Sequence, residues 1–202
     1  LRVPFSFKET KADSYALSAH KIHGPKGVGA LVLADGARIK PIVAGGGQQG
    51  GLRSGTENTS GIAGMVAAVQ SYPSDAMERM RGLKRLLLSL LTEALPETTV
   101  AGLPVDDPMS AGHILNVSFP PVRAETLLHA LEADGICVGT GSACSSKKGR
   151  RSPVLTAMHL PPQVMDSAIR MSLCPFNTEE EMRYTAEKII ERVGQLRRFT
   201  RR

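Results

Sequence analysis

Lys21 lies in a segment whose neighbouring residues suit covalent chemistry at an amine. Ser18 and His20 precede it within three positions, and several glycines follow it. A hydroxyl, an imidazole and glycines that let the backbone approach a ligand closely are what a Schiff-base lysine beside a phosphate group requires. A lysine that stands alone in a loop is usually only solvated, so the prediction rests on these neighbours. Lys26, deeper in the Gly-Pro turn, is the weaker candidate.

Cys144 has the surroundings of a reactive thiol. The small residues of 139–146 offer it nothing apolar to pack against, and four basic residues follow between 147 and 151. Nearby cations favour the thiolate, which is the nucleophilic form of cysteine. By contrast, Cys137 lies between two apolar residues and is expected to be a small buried hydrophobe, while Cys174 is expected to be structural.

Two further segments could contribute to a site. The glycine-rich run 45–51 has no tendency to form regular structure, so other residues must hold it. With a hydroxyl following it, the run could cradle a phosphate, although a glycine-rich turn is more often only a turn. Arg170 lies within 167–173, where apolar residues alternate and leave it on the opposite face; an arginine there is most often simply exposed.

The periodicity of apolar residues predicts four helices. The clearest runs from Met77 to Leu95, where apolar residues recur at three- and four-residue spacing. Thr178 and Glu181 have the form of a capping box ahead of an apolar stripe over 182–196, which predicts the final helix. Shorter helices are predicted over 62–69 and 125–132.

Short strands are predicted between these helices. They cover 30–33, which reads as a buried strand, and 42–43, 115–119, 136–138 and 169–173. Helix-breaking residues exclude a helix between Ser18 and Gly29. The mixture of helices and strands predicts an α/β architecture, with a break near residues 71–74.

The amino-acid composition limits the kinds of function that this protein could have. The 202 residues carry 25 basic and 19 acidic side chains, and the resulting net charge of +6 attracts anions. The chain has too few aromatic residues to form a stacking platform for nucleic-acid bases. We found no apolar run long enough for a membrane span and no leader. Three cysteines favour a reducing compartment, so we expect a cytoplasmic protein. The abrupt start at Leu1 leads us to expect that the chain begins inside a longer protein.

Four motifs together resemble those of one enzyme family. SAHKIHGPKGVGALVL (18–33) looks like the pyridoxal-phosphate lysine motif of the cysteine desulfurases, class V aminotransferase-like transferases that supply sulfur for iron-sulfur cluster assembly and tRNA thiolation. The segments GGG…RSGT (45–56), GSAC (141–144) and IRMS (169–172) are similar to three more motifs of that family. The resemblance covers nearly the whole chain and corresponds to the C-terminal half of the family pattern.

The resemblance implies where the cofactor would bind. Lys21 would carry pyridoxal 5'-phosphate covalently, and Ser18 and His20 would hold its phosphate. Thr56 would reach the cofactor phosphate of a partner subunit, which implies a homodimer with shared active sites.

It also implies the reaction. Arg170 would bind the carboxylate of L-cysteine through two hydrogen bonds, with Asn116 in a supporting or structural role. Cys144 would attack the substrate sulfur and become a persulfide while L-alanine is released. The persulfide would then pass to a sulfur-acceptor or iron-sulfur scaffold protein. No metal, nucleic acid or membrane is expected to take part.

The implied fold is the type I pyridoxal-phosphate-dependent transferase fold. Residues 1–72 would form the C-terminal part of the large cofactor-binding domain, and 73–202 a linking helix and the small α+β domain. Three features of the family pattern have no counterpart here: the aspartate that pairs with the pyridine nitrogen, the histidine that stacks on the ring and a Gly/Thr phosphate cradle. The fragment is therefore expected to be inactive without an N-terminal half.

Other functions remain open at this point. A selenocysteine lyase or another class V aminotransferase-like enzyme would share most of these motifs, although a plain aminotransferase has no use for Cys144. A different class is a non-catalytic sulfur-transfer or docking domain. It would use the basic tail, Arg197, Arg198, Arg201 and Arg202, to bind an acidic partner.

Overall fold

The structure is a computed structural model, and it describes residues 5–140 and 152–200. The chain divides into two compact units, Leu1–Ser74 and Asp75–Arg202, called here the first and second unit. The sequence places the boundary after residue 72; that the units are parts of a large and a small domain stays a prediction. Among the helices of the described ranges, none is both long and apolar enough to cross a membrane.

The first unit is built on a two-stranded antiparallel sheet. Helix α1 (Phe7–Thr10) precedes strand β1 (Ser14–Ser18), a 3-10 turn (Ala19–Ile22) and strand β2 (Gly29–Leu33). A second 3-10 turn (Gln48–Gly51) and helix α2 (Thr59–Ser71) complete the unit. The Asn58 side chain caps α2 by accepting from the Gly61 backbone N–H, at 3.0 Å. The helix extends the predicted range 62–69 by three residues at its start, because its cap lies earlier in the chain, and by two residues at its end.

Three expectations for this unit are wrong in detail. The helix-breaking segment after Ser18 does form one 3-10 turn, which ends at His23 with φ +65°. Residues 42–43 form no strand; Val43 makes a single parallel bridge to Arg53. Strand β2 exists as predicted but is not buried: Leu31 is 52 % exposed, because a sheet of two strands leaves its faces open.

The second unit is an antiparallel sheet with helices packed on one face. Its elements are α3 (Ala76–Ala94), β3 (Thr99–Val100), β4 (Ile114–Ser118), α4 (Ala124–Glu132), β5 (Gly139–Thr140), α5 (Pro153–Ala157), α6 (Pro162–Asp166), β6 (Ala168–Ser172) and α7 (Glu179–Thr200). The strands lie in the order β3-β4-β6-β5. Helix α7 packs against α3 and α4, and α4 also packs against β5 and β6.

The apolar stripes predicted from sequence form the core of this unit. On α3, the side chains of Met80, Leu83, Leu87 and Leu91 are buried, and on α7 so are those of Met182, Ala186, Ile189 and Val193. The capping box of α7 is confirmed: the Thr178 N–H donates to Glu181 Oε2 at 3.0 Å, and the Glu181 N–H donates to Thr178 Oγ1 at 3.2 Å. These helices bury one face of the sheet.

The strand predicted over 136–138 is displaced. Gly135, with φ +77°, and a hydrogen bond from the Ile136 N–H to the Leu131 carbonyl close the end of α4. Because the backbone is used for this closure, the strand begins only at Gly139. Cys137 therefore lies before the strand and is exposed, contrary to the buried position expected for it.

Replacing Gly29 with alanine should disrupt the pairing of β1 with β2. A Cβ atom at Gly29 would lie 2.3 Å from the Leu17 carbonyl oxygen, so the backbone would have to move. We expect a loss of about 1–3 kcal/mol, typical of overpacking, seen as faster hydrogen exchange of the β1 amides. The control is Gly82→Ala on α3, where a Cβ would meet nothing within 4 Å. This substitution should stabilise the helix by ~0.5–1 kcal/mol. Unchanged exchange in Gly29→Ala would contradict this packing.

Replacing Asp134 with asparagine should lower thermal stability at neutral pH. Two hydrogen bonds from Arg192, at 2.8 and 2.6 Å, join the end of α4 to α7 and lower the pKa of Asp134 below its ordinary value. The carboxylate therefore stabilises the fold above the pKa of the unfolded chain, and this contribution is lost as pH falls through the lowered folded pKa. We expect a melting temperature a few degrees lower at pH 7, with the difference from wild type vanishing in acid.

The matched control is Asp106→Asn. Asp106 is also paired with an arginine, Arg85, and its pKa is lowered in the same way, but its side chain is 70 % exposed against 11 % for Asp134. Solvent weakens such a pair. Equal melting temperatures for the two variants at every pH would contradict the assignment.

Candidate active site

The 3-10 turn that carries Lys21 is held through its first residue. Ala19 is fully buried; its N–H donates to the Val28 carbonyl at 3.1 Å, and its carbonyl accepts from the Gly24 N–H at 2.9 Å. A Cβ on Gly24 would lie 3.0 Å from that of Ala19, so the chain on the far side of the turn approaches closely. The turn is thus fixed by backbone contacts, while His20 and Lys21 remain exposed.

Ser18 enters this turn from the end of β1. It pairs with Gly29, the position where β2 begins and where the missing side chain permits the close approach of Leu17. Within the part of the chain that the structure describes, the side chains of Ser18, His20 and Lys21 make no hydrogen bond to other residues. Three groups capable of hydrogen bonding therefore stand exposed within four consecutive residues.

These groups fit the cofactor that the sequence implies. An exposed primary amine with no hydrogen-bond partner among the described residues is available to bond to an aldehyde carbon, and the exposed hydroxyl and imidazole are available to a phosphate. The assignments of Lys21, Ser18 and His20 stay predictions.

Ser54 holds the glycine-rich loop. Its side chain is buried, and its hydroxyl donates to the Gly46 carbonyl at 2.8 Å, while its own N–H donates to the Val43 carbonyl at 3.1 Å. The loop is tied a second time by Gln48, whose Oε1 accepts from the Gly55 N–H at 3.2 Å. These hydrogen bonds fix the conformation of the loop that precedes Thr56, and the Thr56 side chain is exposed.

Sequence reasoning gave Ser54 no role. A signal was available: a run of glycines supplies no side chain to satisfy its own carbonyls, so a nearby hydroxyl is needed as donor. Arg53 donates from Nη1 to the Ser54 carbonyl at 3.0 Å. It too supports the loop.

In the second unit, the antiparallel register places Arg170 beside Asn116. The two residues are direct partners between β6 and β4, so their side chains leave the same face of the sheet. On its other side Arg170 is paired with Gly139 of β5, and a Cβ there would lie 3.4 Å from the guanidinium Nη2. The guanidinium therefore lies against a strand position without a side chain. Ile169 and Met171 are buried on the opposite face, as the alternation predicts.

The polar groups of this face are not satisfied within the described residues. Arg170 is exposed and makes no ion pair there. The Oδ1 atom of Asn116 is buried and has no hydrogen-bond partner in the same ranges. An exposed guanidinium without a carboxylate partner can bind a planar anion through two parallel N–H groups. This face can therefore receive a carboxylate.

The remaining predicted residues are Cys144 and the arginines of the basic tail. Cys144 lies outside the described residues, as do Arg201 and Arg202 of the basic tail. Arg197 is engaged within the second unit: Nη1 pairs with Glu97 at 2.8 Å, and Nη2 donates to the Pro120 carbonyl at 3.1 Å. These contacts do not favour the tail as a docking surface.

The structure brings the predicted residues together in two groups. The first unit holds His20 and Lys21 in one 3-10 turn, Ser18 at the end of the strand before it, and Thr56 after the glycine-rich loop. The second unit holds Asn116 and Arg170 side by side on adjacent strands.

Known proteins resemble this chain over almost its whole length. Residues 1–184 match the family Aminotransferase class-V. The cysteine desulfurase IscS of Clostridium botulinum is 36 % identical over 202 residues, which cover 98 % of this chain and 50 % of that protein. Cysteine desulfurase 2 of Trichormus variabilis is 35 % identical over 204 residues, again 98 % and 50 %. The chain thus spans about half the length of the curated relatives it matches.

Solved structures agree with this assignment. A NifS-like protein superposes with a TM-score of 0.81 at 39 % identity, covering 96 % of this chain and 50 % of that one. SspA, solved in complex with cysteine, superposes with a TM-score of 0.65 at 27 % identity, covering 88 % and 48 %. The predicted α/β architecture of the type I pyridoxal-phosphate-dependent transferase fold is confirmed. This chain belongs to the class V aminotransferase family, whose members are pyridoxal-phosphate-dependent enzymes.

Proposed function

We propose that this chain supplies the cofactor lysine, the substrate arginine and the sulfur-accepting cysteine of a cysteine desulfurase, which converts L-cysteine to L-alanine. The observation that carries the proposal is the face formed by Asn116, Arg170 and Gly139, with an exposed guanidinium that has no carboxylate partner among the described residues. Cys144 follows Gly139 by five residues in the sequence. The desulfurase names of relatives 35–36 % identical support the choice of activity.

Lys21 holds the cofactor and moves protons in this proposal. Pyridoxal phosphate, when bound, supplies an electron sink for breaking bonds next to the α-carbon of an amino acid. The Lys21 amine, exposed on its 3-10 turn, would hold the cofactor covalently and would carry protons during turnover. Ser18 and His20 donate hydrogen bonds to the cofactor phosphate.

Arg170 orients the substrate. Two parallel N–H groups of the guanidinium bind both carboxylate oxygens of L-cysteine, which fixes the rotation of the amino acid as well as its position. Gly139 leaves the guanidinium room to lie against β5, and the nearby Asn116 amide supports the bound carboxylate. A solved relative in complex with cysteine supports this substrate.

Cys144, which lies outside the described residues, takes the substrate sulfur. A thiolate among the basic residues of 147–151 attacks the sulfur and becomes a persulfide. The bond between that sulfur and the substrate's β-carbon breaks, its electron pair stays with the carbon skeleton, and protonation of that carbon gives alanine. The persulfide then passes to an acceptor or iron-sulfur scaffold protein. A reducing cytoplasm keeps the thiol available.

A second subunit and further polypeptide complete the assembly in this proposal. Thr56, exposed after its tethered loop, reaches the cofactor phosphate of a second subunit, which makes the enzyme a homodimer. The relatives are about twice as long as this chain, so the 202 residues alone are expected to release no sulfide from cysteine. Activity measurements therefore use the chain together with polypeptide that completes the family fold.

Lys21→Ala should abolish covalent cofactor binding. Without the amine no bond to the aldehyde can form, so the visible absorbance of protein-bound pyridoxal phosphate should be absent after gel filtration. The control is Lys26→Ala, five residues away and also exposed, which should keep that absorbance. Cys144→Ser should keep it too, yet lose sulfide release. Retained absorbance in Lys21→Ala would contradict the assignment.

Arg170→Gln should raise the KM for L-cysteine. Loss of a charge-assisted, two-point contact with a carboxylate is worth a factor of about ten or more. Steady-state alanine formation measures it, and cofactor absorbance should not change. Arg198→Gln, an exposed arginine on α7, should leave KM at the wild-type value. Equal KM values for the two variants would remove Arg170 from the substrate site.

A further inference from the structure

Helix α2 approaches the segment around Lys21 closely at one position. The helix packs against the 3-10 turn that carries the lysine. A Cβ atom on Gly64 of α2 would lie 2.6 Å from Cγ and 3.1 Å from Cδ of Pro25. Real Cβ atoms essentially never come as near to another atom as the first of these distances. The helix can therefore lie against the proline ring only because position 64 has no side chain.

The closeness of this contact is the reason that the structure offers for a glycine at position 64. Gly64 lies in the middle of α2 (Thr59–Ser71), where glycine destabilises a helix relative to alanine. It is not among the glycines with positive φ, so the backbone conformation does not require it. The cost to the helix is thus accompanied by one structural gain, which is the contact with Pro25.

The ring of Pro25 cannot move without the main chain. It is closed onto its own backbone nitrogen, so its atoms follow the backbone. The residue before it, Gly24, donates its N–H to the Ala19 carbonyl at 2.9 Å, and a Cβ on Gly24 would lie 3.0 Å from that of Ala19. Lys21 lies between Ala19 and Gly24 in the chain. A displacement of Pro25 is therefore transmitted to the turn that holds the lysine.

The start of α2 is held in its turn by hydrogen bonds. Asn58 accepts from the Gly61 N–H, and a Cβ on the buried Gly61 would lie 2.6 Å from Asn58 Nδ2. The loop before the helix is tied by the hydroxyl of Ser54 and the amide of Gln48. These contacts oppose a shift of the helix away from Pro25. A side chain at position 64 would then displace the turn.

We infer that Gly64 is a positioning residue for Lys21, which acts by letting α2 lie against the Pro25 ring and so fixing the turn that carries the amine. The inference rests on the proposed function, because it gives Gly64 and Pro25 their importance through the cofactor lysine. A reacting group that is displaced even slightly loses much of its rate, since the reacting atoms must meet at a defined separation. Arg170 belongs to the second unit and makes none of these contacts.

The first measurement needs no cofactor and uses the 202-residue chain. In Gly64→Ala, amide hydrogen exchange at Ala19 and Gly24 should be faster by about tenfold or more, because their hydrogen bonds hold the turn. The matched control is Gly82→Ala on α3, the same substitution in a helix where a Cβ would meet nothing within 4 Å. It should leave the exchange of these two amides unchanged.

The second measurement separates positioning from stability. In the chain together with polypeptide that completes the family fold, Gly64→Ala should lower kcat for alanine formation by about tenfold or more. The KM for L-cysteine should not change. Because kcat is referred to the amount of bound cofactor, measured by its visible absorbance, a loss of folded protein does not imitate this effect. The pH at which that absorbance changes should also shift, whereas Gly82→Ala should alter none of these values.

A compensating substitution identifies the contact. Pro25→Ala removes the Cγ and Cδ atoms that a Cβ at position 64 would meet. The double variant, Gly64→Ala with Pro25→Ala, should therefore match Pro25→Ala alone in exchange and in kcat, because residues in contact have non-additive effects. Pro25→Ala by itself opens a gap beside Gly64 and should cause a smaller loss in the same direction. It tests the inference even where Gly64→Ala gives too little folded protein.

Two results would overturn the inference. One is a Gly64→Ala chain that equals Gly82→Ala in exchange and in kcat. The other is a double variant whose loss is the product of the two single losses, since the ring would then not be what the new side chain meets. If the exchange pattern and its recovery are as expected, but Lys21→Ala keeps the visible absorbance of bound cofactor, the proposed function alone fails.

Discussion

The antiparallel register between β4 and β6 is the constraint that decides which residues share a sheet face with Arg170. Asn116 is opposite Arg170, and the next strand places Gly139 on the other side of the arginine. A slip of one residue would send Arg170 into the core and Ile169 out to solvent, because side chains alternate between faces. The buried stripe of Leu115, Val117 and Ile169 makes such a slip costly. The packing of the core thus sets the position of the charged group.

In the first unit, close contacts between backbone segments hold the predicted site residues in position. Gly29 lets β2 come against the Leu17 carbonyl, and Ala19 anchors the turn that carries Lys21. The glycine-rich loop is fixed by a single buried hydroxyl, that of Ser54, and by the amide of Gln48. Neither these backbone contacts nor these side-chain hydrogen bonds require a large apolar core. This explains how a unit that buries few apolar side chains can still hold exposed polar groups at defined positions.

The sequence predicted the elements whose signal is local. The stripe of α3 and the capping box of α7 need only residues three or four positions apart, and both are present. The strand expected at 136–138 fails because the end of α4 is closed by Gly135 and Ile136, a hydrogen-bonding preference that apolar composition does not reveal. The same closure exposes Cys137. The motifs around Lys21 and Arg170, whose roles stay predictions, could be recognised from the sequence because each is a contiguous string.

By itself, the sequence determined the family, the helical stripes and the residue types available for chemistry, since these reside in composition, period and short motifs. Only the tertiary structure decided that Asn116 is the neighbour of Arg170, that Ser54 holds the glycine loop, and that β2 is exposed. Pairing across strands joins residues far apart in the chain, and exposure depends on which other segments are present to cover a surface. Neither is encoded in the period of one segment.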